Sequence, residues 1–185
     1  MSARSRIGLW LELARPFTLL APALGVVSGA ITAAGADPRN VWTADLVRYT
    51  TIGAIMAMVL NAGNNALNQI YDLEIDRVNK PQRPLTSGRM SVREAWTFTW
   101  ITYVIALVLA WFVAPGGRHE CFWIVVVATI CTFVYSVPPL RTKTRGIWAN
   151  VTIAIPRGVL LNVAGWSCVK TIWGVEPWFI GAIFG

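Results

Sequence analysis

The residues most able to do chemistry lie in "NQIYDLEIDRVNKPQRPL", Asn68 to Leu85, which directly follows an apolar run. Asn68, Asp72 and Asp76 are spaced four apart, one helical turn each. Two carboxylates and an amide in that register offer the hard oxygen ligands that Mg²⁺ takes, and Mg²⁺ usually bridges to phosphate oxygens rather than filling a protein cage. The carboxylates also fall at the end of an apolar helix, where the macrodipole disfavours negative charge and a bound cation would reverse the penalty. Arg77, Lys80 and Arg83 follow at once, and Arg141, Lys143 and Arg145 crowd a second polar segment. Basic side chains around an acidic metal site suit a diphosphate: the metal, Asp72 and Asp76 neutralise some oxygens, and Arg and Lys bind the others.

A plainer reading competes. The acids could pair with neighbouring bases in water at a helix end, which accounts well for Arg77 and Lys80. It leaves the amides unexplained. At 100° per residue Asn61, Asn65, Asn68, Asp72 and Asp76 fall within an arc of roughly 80°, with Asn64 bordering it and Glu74 on the far side. Asn residues in an apolar helix either hydrogen-bond to neighbouring helices or mark a functional site. Both remain open at this point.

The elements that must hold these residues are membrane helices. The 185-residue chain is 55% hydrophobic and only 14% charged, against about a quarter charged in soluble domains. A bilayer core takes about 20 apolar residues as helix. The runs Phe17–Ala36, Tyr49–Tyr71, Ala95–Val113, Cys121–Leu140 and Ile147–Val169 meet that length, and a sixth begins at Pro177. The expected architecture is an all-α, polytopic transmembrane bundle of five full helices and part of a sixth, in one membrane domain over 1–185. Ser91 and Glu94 form a capping box that starts the third helix after the Ser87-Gly88 turn.

Orientation follows from the bases. With the N-terminus inside, eleven of the 16 Lys and Arg fall on inner segments (Arg4, Arg6 and Arg15 among them); Arg39, Arg48, Arg118 and Lys170 fall outside. The net charge of +7 is thus a positive-inside bias, placing the N-terminus and the acidic stretch in the cytoplasm. It does not point to nucleic acid. The expected setting is the lipid bilayer of a prokaryotic cell. Trp42, Trp96, Trp148, Trp173 and Trp178 sit near predicted helix ends, as interfacial anchors do. Cys121, Cys131 and Cys168 lack metal or redox spacing and read as reduced packing residues; His119 is a loop residue without clustered ligands. Arg157 is exceptional. It lies about 15 Å along the fifth helix at 1.5 Å per residue, beside Pro156, and is expected to face the bundle interior with a partner: a salt bridge or a substrate.

Three stretches together resemble one family. "NQIYDLEID" leading into "RVNKPQRPLTSGRMS" resembles the first Asp-rich motif of the UbiA-type intramembrane prenyltransferases. "LARPFTLLAPALG" resembles the opening of their first helix, and "YSVPPLRTK" the close of their fourth. "RGVLLN" is similar to the tocopherol and plastoquinone branch. The resemblance implies a nine-helix bundle that transfers a prenyl group from an isoprenoid diphosphate to a hydrophobic acceptor, with Mg²⁺ on the diphosphate. Acceptors in the family include aromatic quinone precursors, chlorophyllides, haem and glycerophosphate lipids. By position it makes Asn68, Asp72 and Asp76 the diphosphate–Mg²⁺ residues. Arg77, Lys80, Arg83, Tyr135, Arg141, Lys143 and Arg157 become substrate contacts. The family's second D-x-x-x-D motif is not found after Asp76, so the sequence is expected to be the N-terminal part of such an enzyme. The rival classes are half of a secondary transporter, which would show inverted repeats and broken helices, and a non-catalytic membrane assembly factor, which would need no metal site.

Overall fold

The computed structural model describes residues 3–37 and 42–184; Arg39 and Gly185, and the side chain of Arg4, lie outside the described residues. The order is α1 (Ala3–Ala14), a 3-10 turn at Pro16–Leu19 running into α2 (Leu20–Gly35), α3 (Ala44–Tyr71), α4 (Leu73–Asn79), α5 (Val92–Phe112), α6 (Glu120–Ser136), α7 (Ile147–Ala154), a π turn at Ile155–Leu160, α8 (Leu161–Ser167) and α9 (Glu176–Phe184). The described residues form no strand.

Four segments are long and apolar enough to cross a bilayer: Pro16–Gly35, Ala44–Tyr71, Val92–Phe112 and Ile147–Ser167. Only 28–39% of each apolar window is buried within the chain, so most of each helix presents apolar surface outward, as lipid requires. The expected span Cys121–Leu140 is shorter than its apolar run: α6 ends at Ser136 after 17 residues, because Pro138 and Pro139 cannot continue it. The expected Tyr49–Tyr71 helix begins five residues earlier, where the Thr43 hydroxyl accepts the Leu46 amide at 3.3 Å. The Ser91–Glu94 capping box forms as read.

Helix α1 is absent from the sequence reading. Arg6 and Glu12 dilute its apolar signal, yet Leu13 is fully buried and Leu9 nearly so. It is clamped by two links, Arg89 to Glu12 at 2.8 Å and Arg6 to Glu94 at 3.2 Å.

The bundle closes through small residues. Gly29 of α2 and Gly165 of α8 meet backbone to backbone; a Cβ on either would collide with the carbonyl of Asn162 or Val26. Helices without a hydrophobic drive between them associate through such close approach. On the far side of α3, Gly63 lies against Thr102 and Tyr103 of α5.

Candidate active site

Helix α3 delivers its polar residues on two ribs about 60° apart, each with its own neighbours. On the first rib the amides are structural. The Asn65 Nδ2 donates to the Ala14 carbonyl and the Thr18 hydroxyl, both at 2.8 Å. Asn61 donates to the Thr18 carbonyl at 3.0 Å and Gln69 to the Leu13 carbonyl at 2.9 Å. These amides hold α1 and the start of α2 against α3, so the helix-bonding reading is right for them. The second rib is different. Asn64 accepts from the Tyr103 hydroxyl at 3.0 Å, and the Asn68 oxygen accepts from Ser136 at 2.6 Å. Asn64 and Asn68 line a small cavity with Tyr135, Thr132, Thr152 and Arg157.

At the end of α3 the two carboxylates take separate basic partners. Asp72, the joint between α3 and α4, is 30% exposed and meets Lys143 Nζ at 2.6 Å and Arg141 at 3.5 Å. Arg141 also donates to the Tyr71 carbonyl at 3.0 Å. Asp76 is buried, 4% exposed, and pairs with Arg83 and, at 3.5 Å, with Lys80. The loop carrying Arg83 is tied down by Thr86 and Ser87, whose hydroxyls donate to the Lys80 and Arg83 carbonyls. Arg77 turns away and pairs with Glu74 at 2.7 Å on the exposed face, as the plainer reading had it. Arg145, on the exposed surface, donates to the Pro139 carbonyl at 2.8 Å.

The Lys143 ammonium is buried and paired with Asp72 at 2.6 Å, and the Arg141 Nε is buried without a partner. Arg141 also adopts φ 35°, a left-handed conformation that an L-residue resists. Buried unpaired donors cost about 1–3 kcal/mol each, and such strain clusters at ligand sites. The donors and carboxylates together fit a Mg²⁺–diphosphate: hard oxygens for the ion, Arg and Lys N–H groups for the phosphate. Among the described residues no group of three or more His, Cys, Asp or Glu gathers, so the acids at this site are the pair Asp72 and Asp76 among those described.

Arg157 sits on the π turn, a device frequent at functional sites and produced here where Pro156 interrupts the helix. Among the described residues its side chain has no ion pair or hydrogen bond. It lines three adjoining cavities of about 30, 60 and 270 Å³. The second is walled by Met56, Leu60, Ile124, Val125 and Ala164, apolar and suited to a hydrocarbon tail. The third adds Arg15, which the sequence reading placed among the inner bases and in the first-helix stretch but not among the site residues. Partial burial, then the Arg83 charge, hold Arg15 below its ordinary value, and a guanidinium remains cationic at neutral pH regardless. His119 stacks on Trp111 at 3.8 Å, remote from these groups in the chain. The three cysteines are free.

These features define an integral membrane helical bundle with an acid–base cluster at one end of its inner cavities. The chain belongs to the UbiA prenyltransferase family, whose model matches residues 19–185. It is 27% identical over 162 residues to the digeranylgeranylglyceryl phosphate synthase of Methanococcus aeolicus, covering 88% of this chain and 53% of that protein. It is 32% identical over 175 residues to the chloroplastic homogentisate solanesyltransferase of Arabidopsis thaliana, covering 94% and 44%. The chain thus spans about half the length of the curated relatives it matches. Its fold is that of a UbiA homologue from Archaeoglobus fulgidus solved with DMAPP and Mg²⁺, with TM-score 0.71, 22% identity, and 95% and 61% of the two chains covered.

Proposed function

We propose that this chain forms the diphosphate-binding part of a Mg²⁺-dependent prenyltransferase that moves a prenyl group from an isoprenoid diphosphate to a membrane-associated acceptor. The observation that carries the reading is the cluster around Asp72. A buried ammonium and a strained Arg141 converge on one carboxylate with the Arg141 Nε left over. Family membership supports it, as does the homologue bound to DMAPP and Mg²⁺. The names of the relatives supply acceptor chemistries, a glyceryl phosphate lipid and homogentisate.

In this mechanism Asp72 and Asp76 would hold Mg²⁺, with Asp76 exchanging contacts with Arg83 and Lys80 to do so; the ion would supply positive charge against the diphosphate oxygens and so improve the leaving group. Lys143, Arg141, Arg83 and Lys80 bind the remaining oxygens and stabilise the charge that grows as the allylic C–O bond breaks. The electron pair leaves with the diphosphate. The allylic carbon is attacked by an oxygen or carbon of the acceptor, which then loses a proton. Tyr135 offers a ring face to the developing cation, Asn68 is held in place by Ser136, and the apolar cavity excludes water that would quench the cation.

The experiment uses the full-length protein in lipid nanodiscs with radiolabelled geranylgeranyl diphosphate and a panel of aromatic and glycerophosphate acceptors. Prenyl transfer that needs Mg²⁺ and stops with EDTA is the expected result. Absence of transfer to every acceptor, with the protein folded, would reject the proposal.

A further inference from the structure

Helix α1 lies ahead of residue 19, where the match to the family model begins, yet it is tied to the loop that carries Arg83. The tie is a relay of hydrogen bonds. The two carboxylate oxygens of Glu12 accept from the two terminal nitrogens of Arg89, at 2.9 and 2.8 Å. The same guanidinium donates from Nε to the Ser87 hydroxyl at 2.9 Å and from a terminal nitrogen to the Gln82 carbonyl. The Ser87 hydroxyl has a single proton of its own, and it donates this to the Arg83 carbonyl at 2.7 Å. Arg89 thus grips the chain on both sides of Arg83, and Glu12 fixes that grip to α1. Gly88, at φ 72°, supplies the turn between Ser87 and Arg89. Apolar packing backs the relay: Leu9 and Leu13 of α1 share a buried cluster with Leu85 and Met90 of the loop. Arg6 holds the far end of the loop through Glu94, at 3.2 Å, where the capping box starts α5. At the other end of the relay the Arg83 side chain pairs with Asp76.

We propose that Glu12 and Arg89 are positioning residues: they brace the loop so that the Arg83 guanidinium is aimed at the diphosphate of the prenyl donor. The inference rests on the prenyltransferase reading and adds to it two residues that act through Arg83 and do not themselves touch substrate. Arg83 has to turn from Asp76 to the diphosphate when the metal takes the carboxylate. On a free loop both backbone and side chain would be ordered anew at each binding event; on a braced loop only the side chain moves, and less entropy is lost when the donor arrives. An isolated surface ion pair would do little of this. The Glu12–Arg89 pair is bidentate and part of a network, the two conditions under which exposed pairs matter. The planar fork of arginine is essential, since a single ammonium cannot serve Glu12, Ser87 and Gln82 in three directions at once.

The test takes the full-length protein in lipid nanodiscs and reads two things: calorimetric titration with geranyl diphosphate in the presence of Mg²⁺, and amide hydrogen exchange of the loop. Glu12→Ala, Arg89→Gln and Arg89→Lys are each made in the wild type and in Arg83→Gln. In the wild-type background each is expected to weaken geranyl diphosphate at least threefold and to speed exchange over residues 83–90 at least threefold, with exchange in α6 unchanged. In Arg83→Gln the same substitutions should change donor affinity less than 1.5-fold, because their only route to the donor is gone. A brace that served stability alone would lower the thermal midpoint and weaken the donor equally with or without Arg83, and that result overturns the proposal. So does donor affinity that stays within 1.5-fold of wild type in Glu12→Ala, or full affinity in Arg89→Lys, which would assign the effect to charge alone. If the Arg89 variants do not fold, Glu12→Ala, at an exposed helical position, carries the test in both backgrounds. Wild-type protein that binds no geranyl diphosphate would reject the prenyltransferase reading and this role with it; faster loop exchange in Glu12→Ala would then leave the brace standing as a feature of the fold alone.

Discussion

Asp72→Asn separates the site chemistry from simple acidity at the membrane rim. The substitution keeps shape and removes one charge. In the structure that charge faces Lys143, whose side chain is only 10% exposed, at 2.6 Å, and Arg141 at 3.5 Å. Removing it does two things. On the proposed function it deprives Mg²⁺ of a carboxylate, and it leaves a largely buried ammonium with no counter-charge. Breaking one side of a fully buried pair costs about 3–5 kcal/mol; with Asp72 30% exposed, about 1–2 kcal/mol of folding stability is the expectation after solvent screening. The catalytic loss is larger: turnover should fall at least about 100-fold, which is about 2.7 kcal/mol at 1.36 kcal/mol per decade. Glu74→Gln is the control. It lies two residues on, changes the same charge, and pairs only with Arg77 in a contact whose side chains are 81% and 57% exposed. Such pairs contribute about 0–1 kcal/mol, so its rate should fall less than about tenfold. Both variants and the wild type are to be purified as full-length protein, checked by thermal unfolding in bound lipid to be folded at the assay temperature, and assayed for initial rate at saturating Mg²⁺. Equal losses would refute the reasoning, since general acidity at the rim would then explain the motif and Asp72 would be no specific ligand.

Three further outcomes are expected. Lys143→Met, which removes the buried ammonium beside Asp72, should on the proposed function raise the KM for prenyl diphosphate at least tenfold while moving the acceptor KM less; a purely structural lysine would shift the thermal midpoint and neither KM selectively. Gly165→Ala should destabilise the bundle by about 1–3 kcal/mol, because its Cβ meets the Val26 carbonyl where α2 and α8 touch; an unchanged midpoint in thermal unfolding would show that the helices separate freely there. Single cysteines at Glu74 and Thr144, introduced into a cysteine-free background, should react with an impermeant thiol reagent from one side of sealed vesicles, and a cysteine at Thr171 from the other. Labelling of Glu74 and Thr144 from opposite sides would break the topology.

The sequence determined what each segment could be, because those properties are local. Apolar runs of bilayer length set four of the spans, and the Ser91–Glu94 pair set where one begins, since a cap is satisfied within a single turn. The Asn-x-x-x-Asp-x-x-x-Asp spacing set which residue types would gather at the end of α3, and the Pro pair after Ser136 carried the signal that shortens α6. What the sequence did not hold was which neighbour each polar residue would meet. Asn61, Asn64, Asn65 and Asn68 share one helical face, yet two of them bond to α1 and the start of α2 and two turn to α5 and α6. Two ribs about 60° apart on one helix meet different helices, and only packing chooses them. The same holds for the carboxylates, which share a face by spacing but take different cations, and for Arg77, which spacing alone could not distinguish from Arg83. Arg15 and Arg157 are 142 positions apart. No local pattern links them; they share a cavity because the glycine contact between α2 and α8 draws those helices together and because the π turn at Pro156 carries Arg157 into it.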